Sequence, residues 1–285
     1  MDFLSHTIAS YQSSTRKKVR QGTFWPDCAA YLPLESPHLM SEKNIQIQTA
    51  SGAAPCAFFT PPGGDKRPAV ILYMDAFGVR PALCEMAARL ASNGYTVLLP
   101  DLYYRAGPAK PLDPGRAFKE GPERDRLMQL LRSLCSRMVM EDTGSFLEFL
   151  ASEPSVAGTK VGCVGYCMGG GFALSAAGTF PARVAAAASL HGARLATDQP
   201  ESPHLLAPKI RAEIYVGIAG IDPHFTPEEK QRLETALQSA GVKHTVEVYP
   251  NVKHGFAVTD TPAYDHPASE HHWRQILKLF AENLT

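Results

Sequence analysis

Two periodicities of apolar and polar residues take turns along this chain from residue 44 onward. NIQIQT (44–49) alternates with period two, and CAFFT (56–60) ends at the turn PPGG (61–64), so the pair reads as a hairpin-like opening. AVILYM (69–74) is an unbroken apolar run, the mark of a strand covered on both faces. Leu83, Met86, Ala87, Leu90 and Ala91 then share one face of a helix that closes at Asn93-Gly94. YTVLL (95–99) is a second buried strand, and the runs 161–164, 184–190 and 210–217 are a third, fourth and fifth. Residues 103–121 make a Pro/Gly-rich loop. Gly121-Pro122 then opens a helix with Leu127, Leu130, Leu131 and Leu134 at helical spacing. A further helix carries Phe146, Phe149 and Leu150 and stops before Pro154. TPEE (226–229) has the form of a capping box and starts a helix with Leu233 and Leu237 that ends at Gly241. TVEVY (245–249) is a last alternating strand, and Trp273, Ile276, Leu277 and Phe280 share one face of a terminal helix. Strands alternating with helices across mostly short turns predict one α/β domain over 44–285, with a mostly parallel central sheet flanked by helices.

Residues 1–43 differ. They are rich in Ser, Pro, Gln and Arg and show no sustained period, so they are expected to form a loosely packed extension. The opening MDFLSHT is not expected to be a secretory leader, because the cluster Arg16-Lys17-Lys18 follows its weakly apolar stretch and no apolar core comes after it. Across 285 residues, 28 basic and 28 acidic side chains cancel, which leaves no field to recruit nucleic acid or an anionic membrane. No apolar run approaches the ~20 residues that span a bilayer. The six cysteines form no CxxC pair and sit mostly in apolar runs, so the simpler expectation is a cytoplasmic chain with reduced thiols. Nothing in the sequence calls for a metal or cofactor, and nothing speaks to oligomeric state.

The candidate chemistry lies in GYCMGGG (165–171), which joins the apolar run VGCV to FALSAA. The turn lacks the spacing and the Lys-Ser/Thr of a phosphate loop, and it does not fit GxGxxG. It does fit a nucleophile elbow. There a residue on a sharp strand-to-helix turn takes strained dihedrals, and its neighbours two before and two after must be small. Gly165 and Gly169 meet that need around Cys167. The elbow would set the thiol at a helix N-terminus, whose dipole and free N–H groups favour a thiolate and a developing oxyanion. The alternative is a small buried hydrophobe, a role that suits Cys163, inside the strand, better.

An elbow nucleophile needs a base and an acid that orients it, in the order nucleophile, acid, histidine, on loops after later strands. Asp222 follows the fifth buried strand, and His254 follows the last strand. Both stand at carboxyl ends of strands, where sites of open α/β sheets gather. His224 lies two residues from Asp222, too near to reach across to the elbow. His191 ends the fourth strand and is expected to line the pocket; His271 and His272 fall on the terminal helix, expected at its surface.

With this set assembled, the chain resembles the dienelactone hydrolase family of α/β-hydrolases over roughly residues 44 to 283. MDAFGV (74–79), PDLYYR (100–105), GYCMGG (165–170), Asp222 and HGF (254–256) carry the resemblance. It implies the α/β-hydrolase fold and acyl transfer: Cys167 attacks an ester or lactone carbonyl, His254 takes the thiol proton and then activates water, and Asp222 fixes the imidazole tautomer. It also implies an oxyanion hole from the backbone N–H groups of Met168 and Ala76, and a substrate-carboxylate clamp at Arg105 beside Tyr104. Two positions depart from the family's pattern. Asp75 stands where the family's dienelactone hydrolases carry a Glu that contacts the resting thiol, and Val258 stands where they carry a second substrate-binding arginine. Arg80 and Lys253 are read as solvated surface charges.

The expected activity is a cysteine-dependent hydrolase of small esters or lactones. The resemblance points to the enol-lactone 4-carboxymethylenebut-2-en-4-olide, and Val258 shifts the balance toward a broader carboxylesterase. The alternatives are a ligand binder or thiol redox sensor on the same fold and, ranked last, a thioesterase or peptidase.

Overall fold

The computed structural model describes residues 20–21, 41–107 and 110–284. Nine strands form one sheet: β1 (Arg20–Gln21), β2 (Ser41–Thr49), β3 (Gly52–Thr60), β4 (Arg67–Tyr73), β5 (Thr96–Pro100), β6 (Val156–Tyr166), β7 (Val184–Leu190), β8 (Glu213–Ile221) and β9 (His244–Lys253). Their spatial order is β1-β2-β3-β5-β4-β6-β7-β8-β9. β1 to β3 and the β3–β5 pair are antiparallel, and every pairing from β5 through β4 to β9 is parallel. Among the described residues six α-helices flank the sheet: α1 (Pro81–Ser92), α2 (Pro122–Arg132), α3 (Ser136–Ser152), α4 (Met168–Thr179), α5 (Pro227–Ser239) and α6 (His266–Asn283). This is the α/β-hydrolase fold.

The elements follow from the apolar pattern. β4 and β5 are buried along nearly their whole length because helices cover both faces of the sheet there. α1 and α6 pack on one face, where Arg89 makes a bidentate bond to Glu270 (2.6 and 2.7 Å) and lies 4.5 Å over the Trp273 ring. α3 and α4 pack on the other face, reached by Tyr73, whose hydroxyl bonds Thr143 (2.9 Å) and whose ring meets Phe172 edge-on. The two faces alternate along β6. Gly162 sits under Phe280 and Leu284 of the α6 end, while the next residue, Cys163, lies against Tyr73. The capping box at Thr226 forms as expected, with Glu229 N–H donating to the threonine hydroxyl (3.2 Å).

Several boundaries differ from the apolar runs. β6 starts at Val156, five residues before its apolar run, because Gly158–Lys160 is exposed and leaves no apolar signal. β8 starts at Glu213, since the preceding residues Pro203–Lys209 wind into a 3-10 turn. β2 starts at Ser41, three residues before the alternation, through backbone pairing of Ser41–Lys43 with Phe58–Thr60. Of the extension expected over 1–43, residues 41–43 belong to β2 and β1 pairs with Ile45 and Gln46; the rest lies outside the described residues. Cys84 is disulfide-bonded, which departs from the expectation of six reduced thiols; Cys56, Cys135, Cys163 and Cys167 are free. Among the described residues no helix is long and apolar enough to cross a membrane.

Candidate active site

The strand order places the site. After β4 the chain builds β5 on one side and then returns to lay β6 on the other, so the loops leaving β4 and β6 diverge at their carboxyl ends and open a crevice. Cys167 stands in that crevice, between β6 and α4. Its φ of 54° and ψ of −120° lie in a region that L-residues seldom occupy, at a cost of about 1–3 kcal/mol. Packing holds the strain in place. A Cβ on Gly165 would collide with the Gly169 carbonyl, and one on Gly169 would come within 2.5 Å of the Tyr73 and Met74 carbonyl oxygens. The bare glycines let α4 and the ends of β4 and β6 close around the turn. Cys167 N–H donates to Leu190 O (3.1 Å), and its carbonyl accepts from Gly170 (3.1 Å) and Ala193 (3.2 Å).

Asp222 and His254 arrive from the ends of β8 and β9. His254 Nδ1 lies 2.8 Å from Asp222 Oδ2, while Asp222 Oδ1 accepts from His224 N–H (2.8 Å) and so cannot swing away. Both side chains are largely buried, the aspartate almost entirely. Burial by itself lowers the pKa of His254; the hydrogen bond to Asp222 and the presence of the Cys167 thiol outweigh it and push the imidazolium up to about 10. With Nδ1 committed to Asp222, Nε2 is the free ring atom, and no oxygen or nitrogen among the described residues bonds it. Cys163, four residues before the elbow, is fully buried, and burial pushes its thiol up to about 12 against a partly compensating hydrogen bond with Tyr73.

Met168 and Ala76 both border the cavity in front of Cys167. Neither backbone N–H has a hydrogen-bond acceptor among the described residues. Met168 opens α4, where N–H groups are free by construction. Ala76 sits in the loop after β4, held by Tyr103, whose hydroxyl donates to the Ala76 carbonyl (3.0 Å).

Several expectations about the surroundings meet a different geometry. Asp75 does not turn toward the thiol: its two carboxylate oxygens accept from Arg80 Nη1 (2.7 Å) and Nη2 (2.9 Å), and Oδ1 also accepts from Phe77 N–H (2.9 Å). Arg80 is accordingly no solvated surface charge. It is buried, and it also donates from Nε (2.6 Å) and Nη2 (2.9 Å) to Asp260, tying the loop after β4 to the loop that follows His254. Lys253 is exposed, as expected. Arg105 and Tyr104 lie outside the cavity wall. Arg105 grips Asp142 with two hydrogen bonds (2.7 and 2.8 Å), and the Tyr104 hydroxyl donates to the same carboxylate (3.0 Å). Asp142 comes from α3 and was missed, although it falls with Val139, Thr143 and Phe146 on the buried face of that helix, where an unpartnered carboxylate would be untenable. His191 is buried behind His254 and does not line the cavity; their ring centroids are 5.0 Å apart. Burial first, then the neighbouring histidines, hold its pKa well below the usual histidine value, so it packs as a neutral ring. His272 is likewise buried and not on the surface, its Nε2 3.2 Å from the Tyr166 hydroxyl, while His271 pairs with Glu247. Val258 is fully buried and stands apart from the cavity wall.

The cavity measures about 810 Å³ and opens onto Cys167 and His254. One wall is apolar: Phe118 from the long loop, Met128, Leu131 and Leu134 from the α2 region, and Phe172 from α4. The spacing puts Leu127, Leu130, Leu131 and Leu134 on one helix; α2 stops at Arg132 and buries Leu127 and Leu130, while Leu131 and Leu134 border the cavity. The 193–203 segment after β7 also borders the cavity, with Arg194, Thr197 and Ser202. His224 also borders the cavity, 5.0 Å ring to ring from His254. Among the described residues no group of three or more His, Cys, Asp or Glu is placed to hold a metal ion.

A parallel sheet with a strained thiol turn at its crossover, and a histidine and a buried aspartate on later loops, defines an α/β hydrolase. The chain belongs to the dienelactone hydrolase family, whose pattern matches residues 56–284. It is 30% identical over 220 residues to the carboxymethylenebutenolidase of Rhodococcus opacus, covering 76% of this chain and 81% of that one. It is 28% identical over 225 residues to the carboxymethylenebutenolidase of Pseudomonas putida, covering 79% and 90%. Among solved structures it matches a dienelactone hydrolase-like promiscuous phosphotriesterase from metagenomic libraries with a TM-score of 0.71 at 22% identity, covering 87% of this chain and 100% of that one. It matches the dienelactone hydrolase of Anabaena variabilis with a TM-score of 0.62 at 19% identity, again covering 87% and 100%. At those identities the structural likeness speaks for the fold alone.

Proposed function

We propose that this hydrolase cleaves small esters or lactones through a Cys167–His254–Asp222 triad. The observation that carries the reading is the strained thiol at φ 54°, facing a histidine that is pinned by a buried carboxylate, at the floor of a largely apolar cavity. Cys167 passes its proton to His254 Nε2, and the sulfur attacks the carbonyl carbon. The carbonyl oxygen takes the developing negative charge and receives the Met168 and Ala76 N–H groups. The tetrahedral adduct collapses, the C–O bond to the alcohol breaks, and His254 returns the proton to the leaving oxygen. A water then gives a proton to His254 and attacks the thioester, releasing the carboxylic acid and restoring the thiol. Asp222 holds Nδ1–H throughout, which keeps Nε2 the working nitrogen.

The relatives named carboxymethylenebutenolidase make an enol-lactone bearing a carboxylate one candidate substrate. The apolar wall of Phe118, Met128, Leu131, Leu134 and Phe172 supports a broader carboxylesterase, since a short aliphatic or aromatic acyl group would bury against it. The decisive experiment is turnover of p-nitrophenyl acetate by the wild type and by Cys167→Ala. Turnover by the wild type that the variant loses is expected; retained turnover in the variant overturns the mechanism.

A further inference from the structure

We infer that Arg194 is the substrate-anion recognition residue of this cavity, selecting esters and lactones that carry a carboxylate; the inference rests on the active-site reading above and names its substrate class. Arg105, the residue that the sequence marks for this task, is committed elsewhere. Its guanidinium holds Asp142, whose side chain is 1% exposed, and adds a bond to Ser51 Oγ (3.1 Å), so turning to a substrate would strand a buried carboxylate. Arg80 is spent on Asp75 and Asp260. Among the described residues, Arg194 is the arginine that borders the cavity containing Cys167 and His254. It is exposed, and no carboxylate or other hydrogen-bond partner engages it among the described residues.

Its backbone is built for placement. Arg194 has φ 58°, the left-handed region in which glycine or asparagine is the easier choice. The turn is anchored on both sides. Ala193 N–H donates to the carbonyl of Cys167 itself (3.2 Å), His191 N–H donates to Gly217 O (2.7 Å), and Leu195 is fully buried. Gly192 has no room for a side chain, because a Cβ there would collide with Ser189 Oγ. The Cα of Arg194 is therefore registered to the nucleophile by one residue and one hydrogen bond. A strained non-glycine residue held by its surroundings next to a reactive group is where functional constraint concentrates. Glu201 is the carboxylate that borders the same cavity; its Oε2 accepts from the Arg137 backbone N–H (3.5 Å). A substrate fitted to these features puts its reacting carbonyl over Cys167, an apolar segment against Phe172, and a carboxylate at Arg194.

Two measurements on wild type and Arg194→Gln test this. The first compares p-nitrophenyl hemisuccinate with p-nitrophenyl butyrate, its neutral counterpart. The ratio of kcat/KM for the anionic over the neutral ester should fall about tenfold in the variant, the loss of one charge-assisted contact, and Arg194→Lys should restore part of it. An unchanged ratio overturns the inference. The second follows alkylation of Cys167, by peptide mass, with iodoacetate and with iodoacetamide. The iodoacetate-to-iodoacetamide rate ratio should fall in Arg194→Gln and should fall with added salt in the wild type; a ratio indifferent to the substitution overturns the inference. The alkylation readout needs no turnover. If neither ester is hydrolysed by the wild type, the hydrolase reading fails, and the alkylation ratio still decides the role of Arg194.

Discussion

Replacing Arg80 with Met should be among the more damaging single changes outside the triad, and the structure says where the damage comes from. The guanidinium makes two hydrogen bonds to Asp75 and two to Asp260, and a fifth to the Gly78 carbonyl (3.2 Å). The two halves of this cluster are not equivalent. Arg80 and Asp75 are 3% and 2% exposed, whereas the Asp260 side chain is 36% exposed. Burial by itself disfavours the charged guanidinium, and Asp75 first, then Asp260, more than compensate, so the carboxylates offset the cost of burying the charge. Removing the arginine leaves Asp75 with the Phe77 N–H alone, a buried carboxylate with no countercharge, which costs about 3–5 kcal/mol. The Asp260 arm is wet and contributes about 0–1 kcal/mol. Against a total stability of about 5–15 kcal/mol, Arg80→Met should still fold but with a much lower urea midpoint. The double variant Arg80→Met/Asp75→Asn should recover most of the loss, because it removes the stranded charge, and Asp260→Asn alone should shift the midpoint little. The assay is urea unfolding of all four proteins, read with m as well as the midpoint. If the double variant is as unstable as Arg80→Met, or if Asp260→Asn is the worst of the set, the argument from the stranded carboxylate is wrong.

Three further outcomes follow from the site. His254 has its pKa raised by the fold to about 10, so its ion-paired form contributes stability fully below about 6.5, and that contribution is lost as pH rises through about 10; kcat/KM should show an alkaline limb near that value, and Asp222→Asn should move the limb downward, whereas an unmoved limb would assign it to another group. Gly165→Ala forces a methyl into the Gly169 carbonyl, where backbone cannot yield as a side chain would, so it should cost more than the ~1–3 kcal/mol of ordinary overpacking and abolish activity with it; a variant with the wild-type Tm would refute the elbow packing. Arg105→Ala strands Asp142 and should cost about 3–5 kcal/mol in urea unfolding while leaving the preference between anionic and neutral esters in place; a selective loss on anionic esters would return the clamp to Arg105.

What could be read from the chain divides along physical lines. The runs 69–74, 95–99 and 161–164 announced β4, β5 and β6 because a strand covered on both faces must be apolar throughout. Gly165 and Gly169 announced the elbow because a missing Cβ is a local requirement, written at the residue that feels it. Asp222 and His254 were found by order along the sheet, since the carboxyl ends of parallel strands share one edge wherever they fall in sequence. Charge partners were not readable in the same way. Arg80 pairs with Asp260 across 180 residues and Arg105 with Asp142 across 37, and a lone arginine in a loop carries no mark of which acid it meets. His191 shows the same limit at finer scale: the end of β7 fixed its neighbourhood, but not that its ring is buried 5.0 Å from that of His254 and away from the cavity wall.

The two loop arginines, Arg105 and Arg194, show why that limit matters for substrate. Both follow strands that feed the crevice, and the family pattern favours the first. The difference between them is set by α3, which lies far from either in sequence. By putting Asp142 on its buried face, α3 creates a carboxylate that must be neutralised, and Arg105, with Tyr104 donating to the same group, is what neutralises it. An arginine so engaged stabilises the fold, and turning it to a ligand would strand the buried Asp142 carboxylate. Arg194 has the reverse balance: a strained backbone position, a neighbour, Ala193, that donates to the Cys167 carbonyl, and a guanidinium with nothing to neutralise among the described residues. Substrate charge is therefore better sought at the rim after β7 than at the loop after β5, and the two Arg-to-neutral variants separate these sites by opposite signatures, one in stability and one in selectivity.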